Sequence, residues 1–251
     1  MSYLSRPWLV ESIRFTLFPL EHITGADLNW WSEVVGQPPE QKISQPRIGG
    51  VMEVGPFASA QLVLQIAPPR VDWNLIPIPN QANDNLPLTV DRFPASWDTF
   101  ISSIKLWFHT PTCPIAKRIA FSSALILPIA NLEEGYNLLV GLLPSVTLDP
   151  NNTADFLYQI NRPRNSSIVP GIKINRLSNW AVLNAQQTQI FFGPGTIPEP
   201  TLGQENLLIR TVLDISTPQQ FMDSFSPSNL PEMLDELKTM AQELVINGDI
   251  P

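Results

Sequence analysis

The chain has 251 residues, 43% of them hydrophobic and only 15% charged, with 23 acidic against 15 basic side chains and a net charge of −8. That apolar content excludes a wholly disordered chain, and the acidic balance speaks against nonspecific nucleic-acid binding, which draws its affinity from basic groups that displace counterions. A lone cysteine excludes an internal disulfide; with no secretory leader and no apolar run of ~20 residues legible, the expectation is a cytoplasmic protein without a membrane segment.

In chain order, "ESIRFTLFP" alternates Ile13, Phe15 and Leu17 against Arg14 and Thr16, which predicts a half-buried strand ending at Pro19. "TGADLNWWSEVVG" follows as a helix, with Thr24 or Asp27 as cap, Leu28, Trp31, Val34 and Val35 on one face, and Gly36 and Pro38–Pro39 closing it. "ASAQLVLQIAPP" and "RVDWNLIPIP" alternate again, and "PLTVDRF" reads as a further short strand. "ASWDTFISSIKLWF" is helical, with Ser96 available as cap and Trp97, Phe100, Ile101, Ile104, Trp107 and Phe108 on one face.

After "HTPTCP" the order begins again. "KRIAFSSALILPI" is an apolar strand, and "NLEEGYNLLVGLLP" a helix opened by Asn131 with Glu133 and Glu134 in its first turn, where the helix dipole favours anions. "ADFLYQINR", "GIKINRL" with "NWAVLNAQ", and "ENLLIRTVLDIST" supply three or four strands. "NLPEMLDELKTMAQELVING" is the clearest helix. Asn229 and Glu232 have capping-box spacing, Pro231 lies in the first turn, Gly248 closes it, and Leu230, Met233, Leu234, Leu237, Met240, Ala241, Leu244 and Val245 form the stripe. The 26 prolines punctuate these elements and form no linker, since proline lacks the N–H that a central ladder needs.

Each half therefore reads strand, helix, strands, helix, with the boundary between residues 112 and 113. Amphipathic helices must cover an apolar sheet face, so the expected class is α+β: two similar halves, 1–112 and 113–251, packed as one unit, making a long curved antiparallel sheet with helices on one side. The TATA-binding protein has such a twice-repeated order, a likeness of architecture without a shared motif.

"LWFHTPTCP" holds Cys113 and His109, one of two histidines. A thiol nucleophile needs a lowered pKa and a base within reach, and zinc needs four ligands at paired spacings; neither is implied, and the stretch reads as the corner between the halves. No phosphate-binding loop, dinucleotide fingerprint or serine elbow is present, so no catalytic residue, metal or cofactor is expected. Of the seven tryptophans, Trp30 and Trp31 are adjacent and about 100° apart on a helix, so one should pack inward and the other remain available to a partner. Asp149 and Asp214, just after apolar strands, and Arg162 and Arg164 in "NRPRN" are the residues to expect around a pocket between sheet and helices.

"RPWLVESIRFTLFP" resembles the opening, and "VLDISTPQQF" with "LPEMLDELKTMAQEL" the close, of a sporadically distributed family of uncharacterised bacterial proteins of about this length. The resemblance carries no activity or catalytic residues; its patchy distribution implies an accessory or partner-binding role, as for genes in defence or mobile-element clusters. The leading expectation is thus a non-enzymatic cytoplasmic protein that binds another protein through a sheet face or a tryptophan-bearing helix. The alternatives are a small-molecule sensor or enzyme with a pocket between sheet and helices, and an antitoxin-like inhibitor whose acidic face covers a basic partner.

Overall fold

The computed structural model describes residues 7–23, 28–78, 87–190, 200–221 and 223–250, with the side chains of residues 48, 186–190 and 200–205 left aside. Its frame is one large, open, curved antiparallel sheet. The long strands are β1 (Leu9–Pro19), β7 (Ala116–Pro128), β10 (Lys173–Ile190) and β11 (Pro200–Ser216); shorter ones are β2 (Gln41–Gln45), β3 (Gly50–Phe57), β4 (Ala60–Ala67), β5 (Arg70–Ile76), β6 (Asp91–Arg92), β8 (Leu157–Asn161) and β9 (Arg164–Asn165). The order across the sheet is β2-β3-β4-β5-β1-β7-β11-β10-β8, with β6 on β1 and β9 on β10. The fold class is α+β, completed by helices α1 (Trp30–Val35), α2 (Ala95–Phe108), α3 (Leu132–Leu142) and α4 (Leu230–Asn247).

Period-two alternation decides which residues make the core. Phe15 and Leu17 on β1, Leu62 and Leu64 on β4, Trp73 on β5, Phe121 on β7, Trp180 on β10, and Leu213 and Ile215 on β11 all point to one face, where they are buried with the helices' apolar stripes. The predicted faces of α2 and α4 are buried throughout. Edge-on aromatic contacts tie the layers: Trp97 meets Phe121 at 5.0 Å between ring centroids, and Trp8 meets Trp180 at 6.3 Å, joining the entry to β1 with a strand from the far side of the sheet.

Several local expectations are corrected. Trp30 and Trp31 are both buried, each 1% exposed, so neither ring remains available to a partner. Helix α1 is six residues long and lies in the corner between the sheet and α2, so two of its faces are covered. Trp30 packs on Trp107 of α2 at 5.1 Å and donates its indole N–H to Thr112, while Trp31 stacks on Trp73 of β5. Gly55 makes room for it: a Cβ there would lie 2.9 Å from the Trp31 ring.

Ser96 does not cap α2. The helix begins at Ala95 behind Pro94, and the Ser96 hydroxyl donates back to the Arg92 carbonyl. Asn229 precedes α4 but already has helical dihedrals, so its side chain makes no cap bond; its Oδ1 instead accepts from Ser228. Asn131 does cap α3, accepting from the Glu134 N–H while the Glu134 carboxylate accepts from the Ala130 N–H. Thr24 and Asp27 lie outside the described residues. No helix among the described residues is long and apolar enough to cross a membrane.

Candidate functional site: the uncovered face of the sheet

Because β1, β5, β7 and β11 each bury one set of alternate residues, the other set must stand on the opposite face. There the register aligns a row across five strands: Asn74 opposite Arg14, Arg14 opposite Ser122, Ser122 opposite Asp214, and Asp214 opposite Leu177. The outward positions of the central strand β7 are small and well covered by their neighbours: Ala120, Ser122 and Ala124 form the floor of a trough. Larger side chains rise on either side of it.

Two adjoining cavities occupy this face. One, of about 290 Å³, is lined by Ser12, Arg14, Asn74, Ser122, Ala124 and Arg210 among others. The second, of about 400 Å³, shares Arg210 and Val212 with the first and runs over Leu177, Asn179, Ala181 and Asp214 to Leu157 and Leu183 at the β8 side. Among the described residues, both are lined by strands. The apolar end is open to solvent, with Leu157 69% and Leu183 40% exposed.

The charges here are unevenly satisfied. Arg210 pairs with Glu11 at 2.5 Å, and Asp72 is held by Arg70 and by the Thr16 hydroxyl at 2.6 Å. Arg70 and Arg118 flank the Phe18 ring, at 5.8 and 5.0 Å from its centroid. Arg14, by contrast, reaches only the Ser122 hydroxyl, at 3.5 Å, and its Nε is buried without a partner. One carboxylate oxygen of Asp214, Oδ1, is likewise buried and unpaired. Both side chains are half-buried and neither has an ion-pair partner among the described residues, so their remaining polar atoms are what an occupant of the trough would meet.

The four pocket residues expected from the sequence do not converge. Asp214 lies in the trough. Asp149 caps its own exposed turn, accepting from the Asn151 N–H and the Asn152 side chain, whose hydrogen bond holds its carboxyl below the usual range. Arg162 is on the helical side, bound to the buried Asp249 at 2.8 and 2.9 Å and to Ser145. Arg164 pairs with Glu243 of α4 beside a separate groove of about 460 Å³. In that groove Glu236 is saturated by the Ser166 hydroxyl and by the N–H and hydroxyl of Ser167, which marks it as structural.

"LWFHTPTCP" forms the corner between α2 and β7. His109 is the C-cap of α2, the Thr110 hydroxyl donates to the Trp107 carbonyl, and the Cys113 N–H returns to Thr110. Burial pushes the Cys113 thiol up to about 12, the wrong direction for a nucleophile. No group of three or more His, Cys, Asp or Glu that could hold a metal occurs among the described residues.

Arg14, Asn74, Ser122 and Arg210 escaped sequence reasoning. Each is a polar residue in the solvent phase of an alternating strand, as any half-exposed strand carries; only the strand pairing, which no local pattern reveals, brings them into one row. No family model matches the chain, and neither curated proteins nor solved structures give a significant match.

Proposed function

We propose that the chain is a non-enzymatic accessory protein that docks another protein on the uncovered face of its sheet. The observation that carries this reading is the trough itself. It is a continuous strand-lined groove with an exposed leucine shelf at one end and buried, unpaired polar atoms of Arg14 and Asp214 in its floor. Interfaces of this make-up combine an apolar anchor with a few oriented polar groups. The raised Cys113 thiol and the scattering of Asp149, Arg162, Arg164 and Asp214 favour binding over chemistry. The ends' resemblance to a sporadic bacterial family supports an accessory, cytoplasmic role in a defence or mobile-element setting.

The strand order also supports a two-halves reading, with the boundary at 112–113. In each half the first strand pairs with the last sizeable strand before the closing helix, β1 with β5 and β7 with β11, and the two first strands pair with each other. On that reading the trough crosses the line where the halves meet, between β1 and β7.

The test is affinity capture from the native host with the wild-type chain and with Ala124→Glu and Val212→Glu, which place a charge in the trough. A partner that copurifies with wild type and Arg164→Gln but not with the trough variants is expected. A lone monomer, or a partner indifferent to both glutamates, overturns the reading.

A further inference from the structure

Resting on that docking reading, the geometry points to a definite partner chemistry: we infer that the trough binds a segment of a partner protein carrying a carboxylate for Arg14, a hydrogen-bond donor for Asp214, and an apolar side chain for the leucine shelf, in that spatial order. Arg14 and Asp214 stand two strands apart, separated by Ser122 of β7. At about 4.8 Å per strand spacing that is about 10 Å. They form no ion pair with each other, and each keeps a buried polar atom unpaired. One is a cation lacking an anion, the other an acceptor lacking a donor, at a fixed separation.

The anion belongs on the Arg14 side. There Arg14 lines one cavity with the Ser12 and Ser122 hydroxyls, the Asn74 amide and Arg210; Glu11 already neutralises Arg210, so Arg14 is the cation left for a carboxylate. A guanidinium is suited to bidentate recognition of a carboxylate, and Arg14 is engaged by one hydroxyl alone. On the other side, Asp214 repels a second anion and accepts from an amide, hydroxyl or ammonium group. Beyond Asp214, Leu183 one strand away on β10 and Leu157 two strands away on β8 form the exposed apolar end.

A polyphosphate chain fits this pattern poorly. It would set successive charges against Glu11, Asp72 and Asp214 as well as the arginines, and the whole chain carries a net charge of −8. A single acid on an otherwise apolar and polar peptide fits all three stations. For an extended segment at about 3.3 Å per residue the donor falls about three residues from the acid and the apolar anchor about five further on, in either chain direction. The longer second step arises because Leu157 lies opposite Ala181, four residues along β10 from the Leu177 that faces Asp214.

The probe is a phage-displayed library of random dodecapeptides panned on the full chain, followed by fluorescence anisotropy with the enriched sequences as labelled synthetic peptides. The expected peptides carry Asp or Glu about eight residues from a Leu, Ile, Phe or Trp. Their affinity should fall about tenfold or more with Arg14→Gln and with Leu157→Asp, weaken with salt, and be unchanged by Arg164→Gln. Leu157→Asp alters an exposed side chain, so it keeps the test valid if Arg14→Gln lowers stability. Peptides that lose binding with Val212→Glu yet lack an acid, or that ignore Arg14→Gln, overturn this chemistry while leaving the docking reading intact. Enrichment of no peptide overturns the inference; peptides indifferent to Val212→Glu and Leu157→Asp count against the docking reading as well.

Discussion

Replacing Gly248 by alanine should cost about 3 kcal/mol, far more than its position just after the last helix suggests, because it is buried against α3. Gly248 ends α4 at φ 76° and ψ −162°, a region that is essentially glycine-only, where a side chain costs about 1–3 kcal/mol. Its would-be Cβ lies 1.9 Å from the carbonyl oxygen of Leu142, backbone that cannot swing aside. Relief therefore requires this segment to lift off α3. That breaks the bond from the Asp249 N–H to Leu142, worth about 1 kcal/mol, and pulls Asp249 from Arg162 and Tyr158, charged contacts worth about 1.5–3 kcal/mol. The loss is bounded by what this clasp contributes, which sets the figure near 3 kcal/mol rather than the full sum. For a chain of this size each kcal/mol moves Tm by about 2–4 °C, so a fall of about 6–12 °C is expected by calorimetry. Gly171→Ala is the matched control: it too has a positive φ, of 83°, but nothing within 4 Å, and should cost only about 1 kcal/mol. Adding Arg162→Gln to Gly248→Ala should cost little more, because the first change has already released the clasp. Equal effects at the two glycines, or full additivity with Arg162→Gln, refute the reasoning.

Two further outcomes follow from burial. Cys113 ionises at about 12 when folded against an ordinary 9.0, so between those values the unfolded chain binds fewer protons than the native one and stability falls as pH rises, by about 1.4 kcal/mol per unit from this group. Urea unfolding at pH 9 and pH 10.5 should show Cys113→Ala gaining about 2 kcal/mol relative to wild type over that interval; a constant difference removes the argument. Trp31→Ala, which empties the space between Gly55 and Trp73, should destabilise by about 3–5 kcal/mol in urea titrations, whereas a partner-facing tryptophan would cost little on folding.

Sequence periodicity located the elements whose apolar phase is uninterrupted, β1, β4, β5, β7, β11, α2, α3 and α4 among them. Where the phase is broken the signal fails. Strand β3 carries Gly50, Gly55 and Pro56, so no alternating run is legible there, yet Gly55 leaves the space that the Trp31 ring fills. Strand β2 is a polar, exposed edge with no core phase at all. The tryptophan pair misled for a related reason. A helix on one flat surface buries one stripe, but α1 is wedged between sheet and helix, and that second contact is absent from its own sequence. The candidate site sits at the far end of this gradient. Asp214 was visible as an acid beside an apolar strand, but its relation to Arg14 runs through Ser122 on a strand about a hundred residues from either, and through a register fixed by hydrophobic burial on the opposite face. The core's demand for Phe15, Phe121 and Leu213 on one side thus places Arg14, Ser122 and Asp214 on the other. A one-residue slip in β7 or β11 would exchange these sets, so the residues that align the trough are the buried ones behind it.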